Sequence, residues 1–246
     1  MVAGLRGTAY IGILAGMKRR FVVKSLKLVI FDCDGTLVDS QHLILTAMTE
    51  AYRAHGIPLP KRETLLSVVG LSLIEAFTAL GNGVAGFPAV GLAEQYRLAF
   101  HALRASGGQM EPLYPGAADA VGALARREDV MLGIATGKSQ RGVRLVLGHH
   151  GLLDRFITIK TADDAPSKPD PAMVVDAMRE AGVDAADTVV VGDTVYDVAM
   201  ARAAGAAAVG VTWGYHPGAA LAEAGAFTVI DRFPILVPML DKFWTS

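Results

Sequence analysis

The segment that most constrains this chain is a run of four apolar residues leading directly into two aspartates. Residues 28–40 read LVIFDCDGTLVDS. Because side chains alternate across a strand, Asp32 and Asp34 can start on one side of it while Cys33 points to the other. Two carboxylates this close repel each other, so we expect a cation between them or a proton shared with a substrate. An isolated Asp-x-Asp pair would more often be a solvated turn, but the whole run favours a functional site.

The overall composition predicts a folded protein and excludes several classes of partner. The chain has 246 residues, of which 52% are hydrophobic and 19% charged, enough for one large domain or a core domain with a smaller one. The formal net charge is -1 and the one basic cluster is residues 18–20, which argues against nucleic acid as a partner. The single cysteine excludes an intrachain disulfide and fits a cytoplasmic location. No apolar stretch approaches the roughly 20 residues of a membrane span, so we expect no membrane partner.

The first 24 residues differ in pattern from the rest of the chain. Residues 1–16 are mildly apolar and the basic cluster follows them. A signal peptide carries its positive residues before the apolar run, so this order argues against one. We expect residues 1–24 to be a poorly ordered extension, and Met17 is as suitable a start as Met1.

From Tyr114 onward, short apolar runs alternate with segments of helical periodicity. This alternation predicts an α/β fold in which a doubly wound parallel sheet is covered by helices on both faces. The predicted strands are residues 27–31, 130–135, 156–159, 188–192 and 207–211, with a short edge strand at 227–230. The predicted helices of this part include residues 139–149, 195–204 and 233–243.

Residues 41–112 interrupt the alternation and show no strand signal. Three apolar helix faces occur there, beginning at Ile44, Leu73 and Leu92. We therefore expect an all-helical insertion directly after the first strand. Its two connections to the sheet would lie near Ser40 and near residues 111–116.

A second group of polar residues, 136–139, follows the predicted strand 130–135. Its letters, TGKS, also match the end of a Walker phosphate-binding loop, but that motif requires glycine where this chain has Leu132. The Walker interpretation therefore fails. Ser139 can serve as a helix N-cap, and the backbone N–H groups at this helix start can bind a phosphate.

Two further groups of residues complete the pattern. Lys168 lies in a loop that Pro169 and Pro171 stiffen, although a lone lysine in a loop is usually just solvated. Asp193 and Asp197 follow the predicted strand 188–192, and Mg²⁺ prefers such oxygen ligands, although an aspartate at a helix start is also commonly a cap. Because each group begins near the end of a predicted strand, we expect the groups to meet at the carboxyl edge of the sheet.

Taken together and in this order, the four groups resemble the motifs of the haloacid dehalogenase superfamily of phosphoaspartyl hydrolases. The resemblance implies a Rossmann-like core, residues 25–40 and 113–246, with a helical cap domain, residues 41–112, inserted after the first strand. It also implies Mg²⁺ as cofactor and a small phosphorylated metabolite as substrate. The implied catalytic residues are Asp32 as nucleophile, Asp34 as general acid and then base, Thr136 and Lys168. The implied substrate-binding residues are Thr136, Gly137, Lys168, Gly70 and Ser72. The implied metal ligands are Asp32, Asp34, Asp193 and Asp197, the last binding directly or orienting a metal-bound water.

Asp34 narrows the reaction that the resemblance implies. The haloacid dehalogenases themselves lack an acid at this place, and the phosphonate-cleaving branch resembles Asp-x-Ala there. The run DGTLVDS with a helical cap looks most like phosphoglycolate phosphatases. A phosphosugar mutase of the β-phosphoglucomutase type shares the core motifs but needs extra cations in its cap, and a non-catalytic phosphate-binding protein is a third alternative. The basic residues of the insertion are Arg53, Lys61, Arg62, Arg97 and Arg104, with no obvious cluster, which favours hydrolysis. The oligomeric state stays open.

Overall fold

The computed structural model describes residues 25–105 and 110–245, so the extension predicted for residues 1–24 lies outside the described part. The described residues form six strands and ten α-helices. The strands are β1 Lys27–Phe31, β2 Val130–Thr136, β3 Thr158–Thr161, β4 Thr188–Gly192, β5 Ala207–Val211 and β6 Thr228–Ile230. The helices are α1 Gln41–Ala54, α2 Arg62–Leu66, α3 Leu73–Leu80, α4 Ala89–Ala105, α5 Ala117–Ala125, α6 Gln140–His149, α7 Ala172–Ala181, α8 Val195–Ala203, α9 Gly218–Glu223 and α10 Leu236–Thr245.

The six strands form one sheet in the order β3-β2-β1-β4-β5-β6, and every neighbouring pair is parallel. Strand β1 is buried on both faces, as expected for a continuous apolar run in a parallel sheet. The chain continues from β1 to β2 on one side, whereas β4 pairs on the other side of β1. Ligands of such sheets bind beyond the carboxyl ends of the strands where the strand order reverses. The predicted α/β class is therefore confirmed, and the fold directs attention to the ends of β1, β2 and β4.

Most boundaries lie within one residue of those that the sequence predicts, and the larger differences are at β3 and at the last helix. Strand β3 begins at Thr158 rather than Phe156, because a short 3-10 turn at Leu153–Arg155 leads into it. Phe156 instead packs its ring edge-on against Phe31, with ring centroids 6.4 Å apart. The last predicted helix is divided into a 3-10 turn at Phe233–Ile235 and helix α10.

Helices α1 to α4 lie between β1 and α5 and bury an apolar cluster of their own. Its largest members include Tyr52, Phe77 and Leu92, and α1 packs against α4. Helix α2 was not predicted. The two connections to the sheet run side by side, since the N–H of Asp39 donates to the carbonyl of Pro112 at 2.8 Å. Within residues 25–105 and 110–245, no helix is long and apolar enough to cross a membrane.

Candidate active site

Three buried carboxylates meet beyond the ends of β1 and β4. Asp32 follows β1, and its N–H donates to the carbonyl of Val191 at 2.9 Å, which fixes its backbone against β4. Asp193 follows β4, and Asp197 lies in the first turn of α8. One carboxylate oxygen from each aspartate lies within 4.8 Å of the others, and each residue is at most 1% exposed. The structure thus brings these three residues together at the edge of the sheet where the sequence predicts them.

Asp193 is oriented by two hydrogen bonds from separate loops. Thr36 Oγ1 donates to its Oδ1 at 2.7 Å, and the N–H of Tyr215 donates to its Oδ2 at 2.9 Å. Gly35 makes this close arrangement possible, because its φ is +88° and a Cβ there would lie 2.3 Å from Asp193 Oδ2. Both the backbone conformation and the space therefore require glycine at position 35.

Asp197 serves a second purpose as part of a helix cap. The N–H and Oγ1 of Thr194 donate to Asp197 Oδ2 at 3.0 Å and 2.7 Å, and Thr194 Oγ1 accepts from the N–H of Asp197 in return. This capping box fixes the start of α8. The other oxygen, Oδ1, accepts from Lys168 Nζ at 2.6 Å. Asp197 is therefore both a capping residue of α8 and a member of the carboxylate cluster.

Lys168 forms ion pairs with two of the three carboxylates, those of Asp32 and Asp197. Its Nζ lies 2.9 Å from Asp32 Oδ1 and 2.6 Å from Asp197 Oδ1, and its side chain is fully buried. Burial acts to lower the pKa of this ammonium group, but the carboxylates of Asp197 and Asp32 outweigh it and raise the pKa above its ordinary value. Lys168 is therefore a buried cation, not a solvated loop lysine.

The cluster still carries more negative than positive charge. Burial is the main reason that the pKa of Asp32 is raised to about 6 and that the pKa of Asp193 lies well above its ordinary value. Apart from the ion pair between its Oδ1 and Lys168, Asp32 has no hydrogen-bond partner for its carboxylate oxygens among the described residues. A buried carboxylate whose oxygens are incompletely paired is costly. The donor set of Asp32, Asp193 and Asp197 therefore fits a hard divalent cation such as Mg²⁺, whose ligands are oxygens.

Asp34 is separate from this cluster. Its Oδ1 pairs with Lys138 Nζ at 2.7 Å, and its side chain is 14% exposed. The group of aspartates that could hold a metal contains Asp32, Asp193 and Asp197 but not the carboxylate of Asp34. The carboxylate of Asp34 is therefore not part of this three-aspartate group, because Lys138 holds it.

Thr136 and the two residues after it form the next wall of the site. Thr136 ends β2 and is buried, and its Oγ1 accepts from the N–H of Lys138 at 3.3 Å. Ser139 caps α6 as predicted, because its Oγ accepts from the N–H of Gly142 at 3.2 Å. A Cβ on Gly137 would lie 2.6 Å from the carbonyl oxygen of Leu71. The absence of a side chain at position 137 thus allows the helical segment to approach the strand end closely.

Residues 70–72 cover the site from the side of the helical segment. The N–H of Ser72 donates to Ser167 Oγ at 2.7 Å, next to Lys168. Gly70 has a φ of +103°, and a Cβ there would meet Thr194 at 3.1 Å. Gly70 therefore shapes this loop and lies against Thr194 at the start of α8, and it also lines the cavity described below.

A cavity of about 390 Å³ lies between the strand ends and the helical segment. Its size is typical of small-molecule sites, which are clefts of about 300–1,000 Å³. On the sheet side it is lined by Asp32, Asp34, Thr136, Gly137 and Lys138. On the helical side it is lined by residues that include Met48, Gly70, Ser72, Tyr96, Phe100 and Arg104. The cavity therefore has a polar floor and a largely apolar roof.

Two residues of the site were not singled out in the sequence. Lys138 lies in the group TGKS, whose pattern resembles the end of a Walker loop but assigns no role to the lysine. Glu111 is fully buried and lies 3.3 Å from Lys138 Nζ, but no local pattern marks it. The position of Lys138 directly after the end of a strand could have marked it as a site residue, whereas nothing in the sequence around Glu111 marks that residue.

The family of haloacid dehalogenase-like hydrolases matches residues 29–211 of the chain. The chain belongs to this family. It is 36% identical over 217 residues to "Probable phosphatase IndB" of Dickeya dadantii, covering 85% of this chain and 91% of that protein. It is 33% identical over 229 residues to "Phosphoglycolate phosphatase" of Pseudomonas syringae pv. syringae. This match covers 92% of this chain and 84% of that protein. The crystal structure of a hydrolase from Pseudomonas syringae shares its fold with a TM-score of 0.77 and 28% identity, over 88% of this chain and 98% of that one.

Membership in the haloacid dehalogenase-like hydrolases confirms the resemblance that the four motifs indicate. The matched range begins inside β1 and ends with β5. It therefore includes the strand ends that carry Asp32, Thr136 and Asp193, together with the helical segment.

Proposed function

We propose that the protein is a Mg²⁺-dependent phosphatase that hydrolyses a small phosphomonoester through an aspartyl phosphate on Asp32. The observation that carries the proposal is the state of Asp32. Its carboxylate is buried at the end of β1, it lies in a cluster with Asp193 and Asp197, and apart from the ion pair with Lys168 its oxygens have no hydrogen-bond partner among the described residues. Such a group is available both to a cation and to an electrophile.

The first half of the reaction transfers the phosphoryl group to the enzyme. An oxygen of Asp32 attacks phosphorus, the bond from phosphorus to the leaving oxygen breaks, and Asp34 gives its proton to that oxygen. In the second half, Asp34 takes a proton from water, the water oxygen attacks phosphorus, and the bond to Asp32 breaks. The products are the alcohol and inorganic phosphate, and both aspartates return to their starting forms.

The remaining predicted residues have distinct tasks in this scheme. The Thr136 hydroxyl and the N–H groups at the start of α6, next to Gly137, would hydrogen-bond the phosphoryl oxygens. Lys168 offsets negative charge between the nucleophile and the phosphoryl group. Asp32, Asp193 and Asp197 would hold Mg²⁺, which when bound supplies positive charge against the phosphoryl oxygens and favours the anionic form of Asp32.

We propose that residues 41–112 form a cap over a core made of residues 25–40 and 113–246. The separate apolar cluster of the helical segment and the paired connections at Asp39 and Pro112 support this division. Residues 70–72 would face the leaving group when the cap is closed. Closure would exclude bulk water from the site.

For the substrate we propose a small phosphomonoester of the phosphoglycolate type. Support comes from the relatives named phosphoglycolate phosphatase and from the cationic residues of the cavity. Of the five basic residues in the described helical segment, Arg97 and Arg104 line the cavity, and Arg104 already pairs with Glu111. That leaves little cationic surface for the second phosphate of a mutase substrate, so hydrolysis is favoured over a phosphosugar mutase.

The proposal is tested with purified protein, Mg²⁺ and a panel of small phosphomonoesters that includes phosphoglycolate and β-glucose 1-phosphate. We expect release of inorganic phosphate that EDTA abolishes and added Mg²⁺ restores. Asp32→Asn should lose the activity, whereas the exposed control Asp231→Asn should keep it. Conversion of the sugar phosphate to an isomer without phosphate release would favour the mutase, and binding without turnover would favour a phosphate-binding protein.

A further inference from the structure

Four charged side chains form a partly buried network beside the candidate metal centre. Lys138 Nζ lies 2.7 Å from Asp34 Oδ1 and 3.3 Å from Glu111 Oε1. The same oxygen of Glu111 pairs with the guanidinium of Arg104. The side chain of Glu111 is fully buried, and those of Lys138 and Arg104 are 8% and 11% exposed. Such pairs are screened far less than surface ion pairs.

The network crosses from the helical segment to the sheet. Arg104 belongs to the last turn of α4, whereas Lys138 lies between β2 and α6. Glu111 lies in the second connection between the two parts, and its carbonyl oxygen is 2.7 Å from His150 Nε2 at the end of α6. Glu111 is therefore anchored on the sheet side while it contacts a residue of the helical segment.

The network leaves some of its buried polar atoms without hydrogen bonds. A contribution to the stability of the fold is therefore a poor explanation for its presence. Among the described residues, Glu111 Oε2 and Arg104 Nε have no hydrogen-bond partner although both atoms are buried. Apolar side chains of similar volume are often at least as stable as a buried ion pair. Its most direct effect is on Asp34, whose carboxylate it holds at the cavity floor and away from Asp32, Asp193 and Asp197.

We propose that Lys138 is a positioning residue for Asp34, and that Glu111 and Arg104 couple Lys138 to the last helix of the cap. This inference rests on the proposed function, in which Asp34 protonates the leaving oxygen. When the proton passes from Asp34 to that oxygen and the bond to phosphorus breaks, a carboxylate forms on Asp34. The ammonium of Lys138 lies where it stabilises this charge as it develops, and it holds the carboxyl group toward the cavity.

Lys138 also lines the cavity, so it could instead bind an anion on the substrate's leaving group. The two roles differ in their dependence on the substrate. A residue acting through Asp34 affects every poor leaving group, whether charged or not, and hardly affects an activated aryl phosphate. A residue binding the substrate's anion affects only substrates that carry one.

The test measures single-turnover rates with Mg²⁺ on p-nitrophenyl phosphate, ethyl phosphate and phosphoglycolate. Lys138→Met should lose at least about tenfold more rate on both alkyl phosphates than on the aryl phosphate, as expected for impaired general acid catalysis. Lys138→Arg should recover most of the loss. Lys160→Met removes a lysine from the surface pair with Glu180 and should leave all three rates unchanged. Glu111→Gln and Arg104→Met should show smaller losses with the same substrate dependence.

Asp34→Asn, measured alongside, separates this inference from the proposed function. If Asp34→Asn shows the leaving-group dependence and Lys138→Met does not, the positioning role is overturned while the acid role stands. If Asp34→Asn lacks the dependence, both are overturned. A loss in Lys138→Met that is confined to phosphoglycolate makes Lys138 a substrate ligand and overturns the inference. Circular dichroism verifies folding, and if Lys138→Met is unfolded, Glu111→Gln and Lys138→Arg decide by the same comparison.

Discussion

The Nζ atom of Lys168 lies 2.9 Å from Oδ1 of Asp32, and both side chains are almost completely buried. The same ammonium reaches Asp197 at 2.6 Å. One lysine therefore offsets the charge of the candidate nucleophile and of a second carboxylate at once. Its removal would leave buried negative charge without compensation.

We therefore expect Lys168→Met to destabilise the metal-free protein. Removing one member of a buried ion pair typically costs about 3–5 kcal/mol. The free energy of unfolding in urea at neutral pH should fall by that order. Lys160→Met, which removes a lysine from a more exposed pair with Glu180, should change it by less than about 1 kcal/mol. Equal stability of the Lys168 variant and the wild type would contradict the charge-compensating role.

The affinity for Mg²⁺ should weaken as the pH falls. The pKa of Asp32 is raised to about 6 and that of Asp193 is raised well above its ordinary value, chiefly by burial. A raised pKa means that the proton stays on the carboxyl group at a higher pH, where it competes with the cation. Below about pH 6, release of one proton on binding weakens the affinity about tenfold per pH unit. Calorimetric titrations at several pH values measure this, and an affinity independent of pH would contradict the assignment.

Asp34→Asn should affect substrates according to their leaving groups. A positioned general acid contributes about 10²–10⁴-fold where the leaving oxygen needs a proton. We expect a loss of that order for alkyl phosphates and a much smaller loss for p-nitrophenyl phosphate in the phosphorylation step. Because Asp34 lies outside the carboxylate cluster, Mg²⁺ affinity should change little. If Asp34→Asn also lost Mg²⁺ affinity, the carboxylate of Asp34 would have to be counted among the metal ligands.

Gly137→Ala should impair turnover without removing the metal site. The added Cβ would lie 2.6 Å from the carbonyl oxygen of Leu71, so residues 70–72 must shift away from the strand end. We expect a lower kcat/KM and an altered substrate ranking with nearly unchanged Mg²⁺ affinity. Gly148→Ala is the matched control in α6, because nothing lies within 4 Å of its Cβ position. Wild-type kinetics in Gly137→Ala would show that this contact does not matter for the closed site.

The strand ends of the site could be predicted from the sequence because they depend on local pattern and on one rule of topology. Asp32, Thr136 and Asp193 each end or follow an apolar run, and parallel strands bring such positions to one edge. Helix α2 escaped prediction because it has only five residues, too few to show a periodicity. The apolar pattern predicts a strand close to β3. It does not reveal the 3-10 turn at Leu153–Arg155, after which the strand begins two residues later than predicted.

The orientation of side chains was less accessible, since it depends on partners far away in the chain. Asp34 turns to Lys138, 104 residues away in sequence, rather than to the cluster. Glu111 is held by contacts on both sides of the site, none of which leaves a local signature. The contact between Gly70 and Thr194 joins residues 124 positions apart, so no local pattern could predict it.

The most direct test of the proposed reaction is to find the covalent intermediate. The protein is mixed with a turned-over phosphomonoester and Mg²⁺, quenched rapidly with acid, digested and mapped by mass spectrometry. The mechanism predicts a phosphoryl group on Asp32 in the peptide that contains residues 28–40, and its absence in Asp32→Asn. A phosphoryl group on another residue, or efficient turnover by Asp32→Asn, would contradict it.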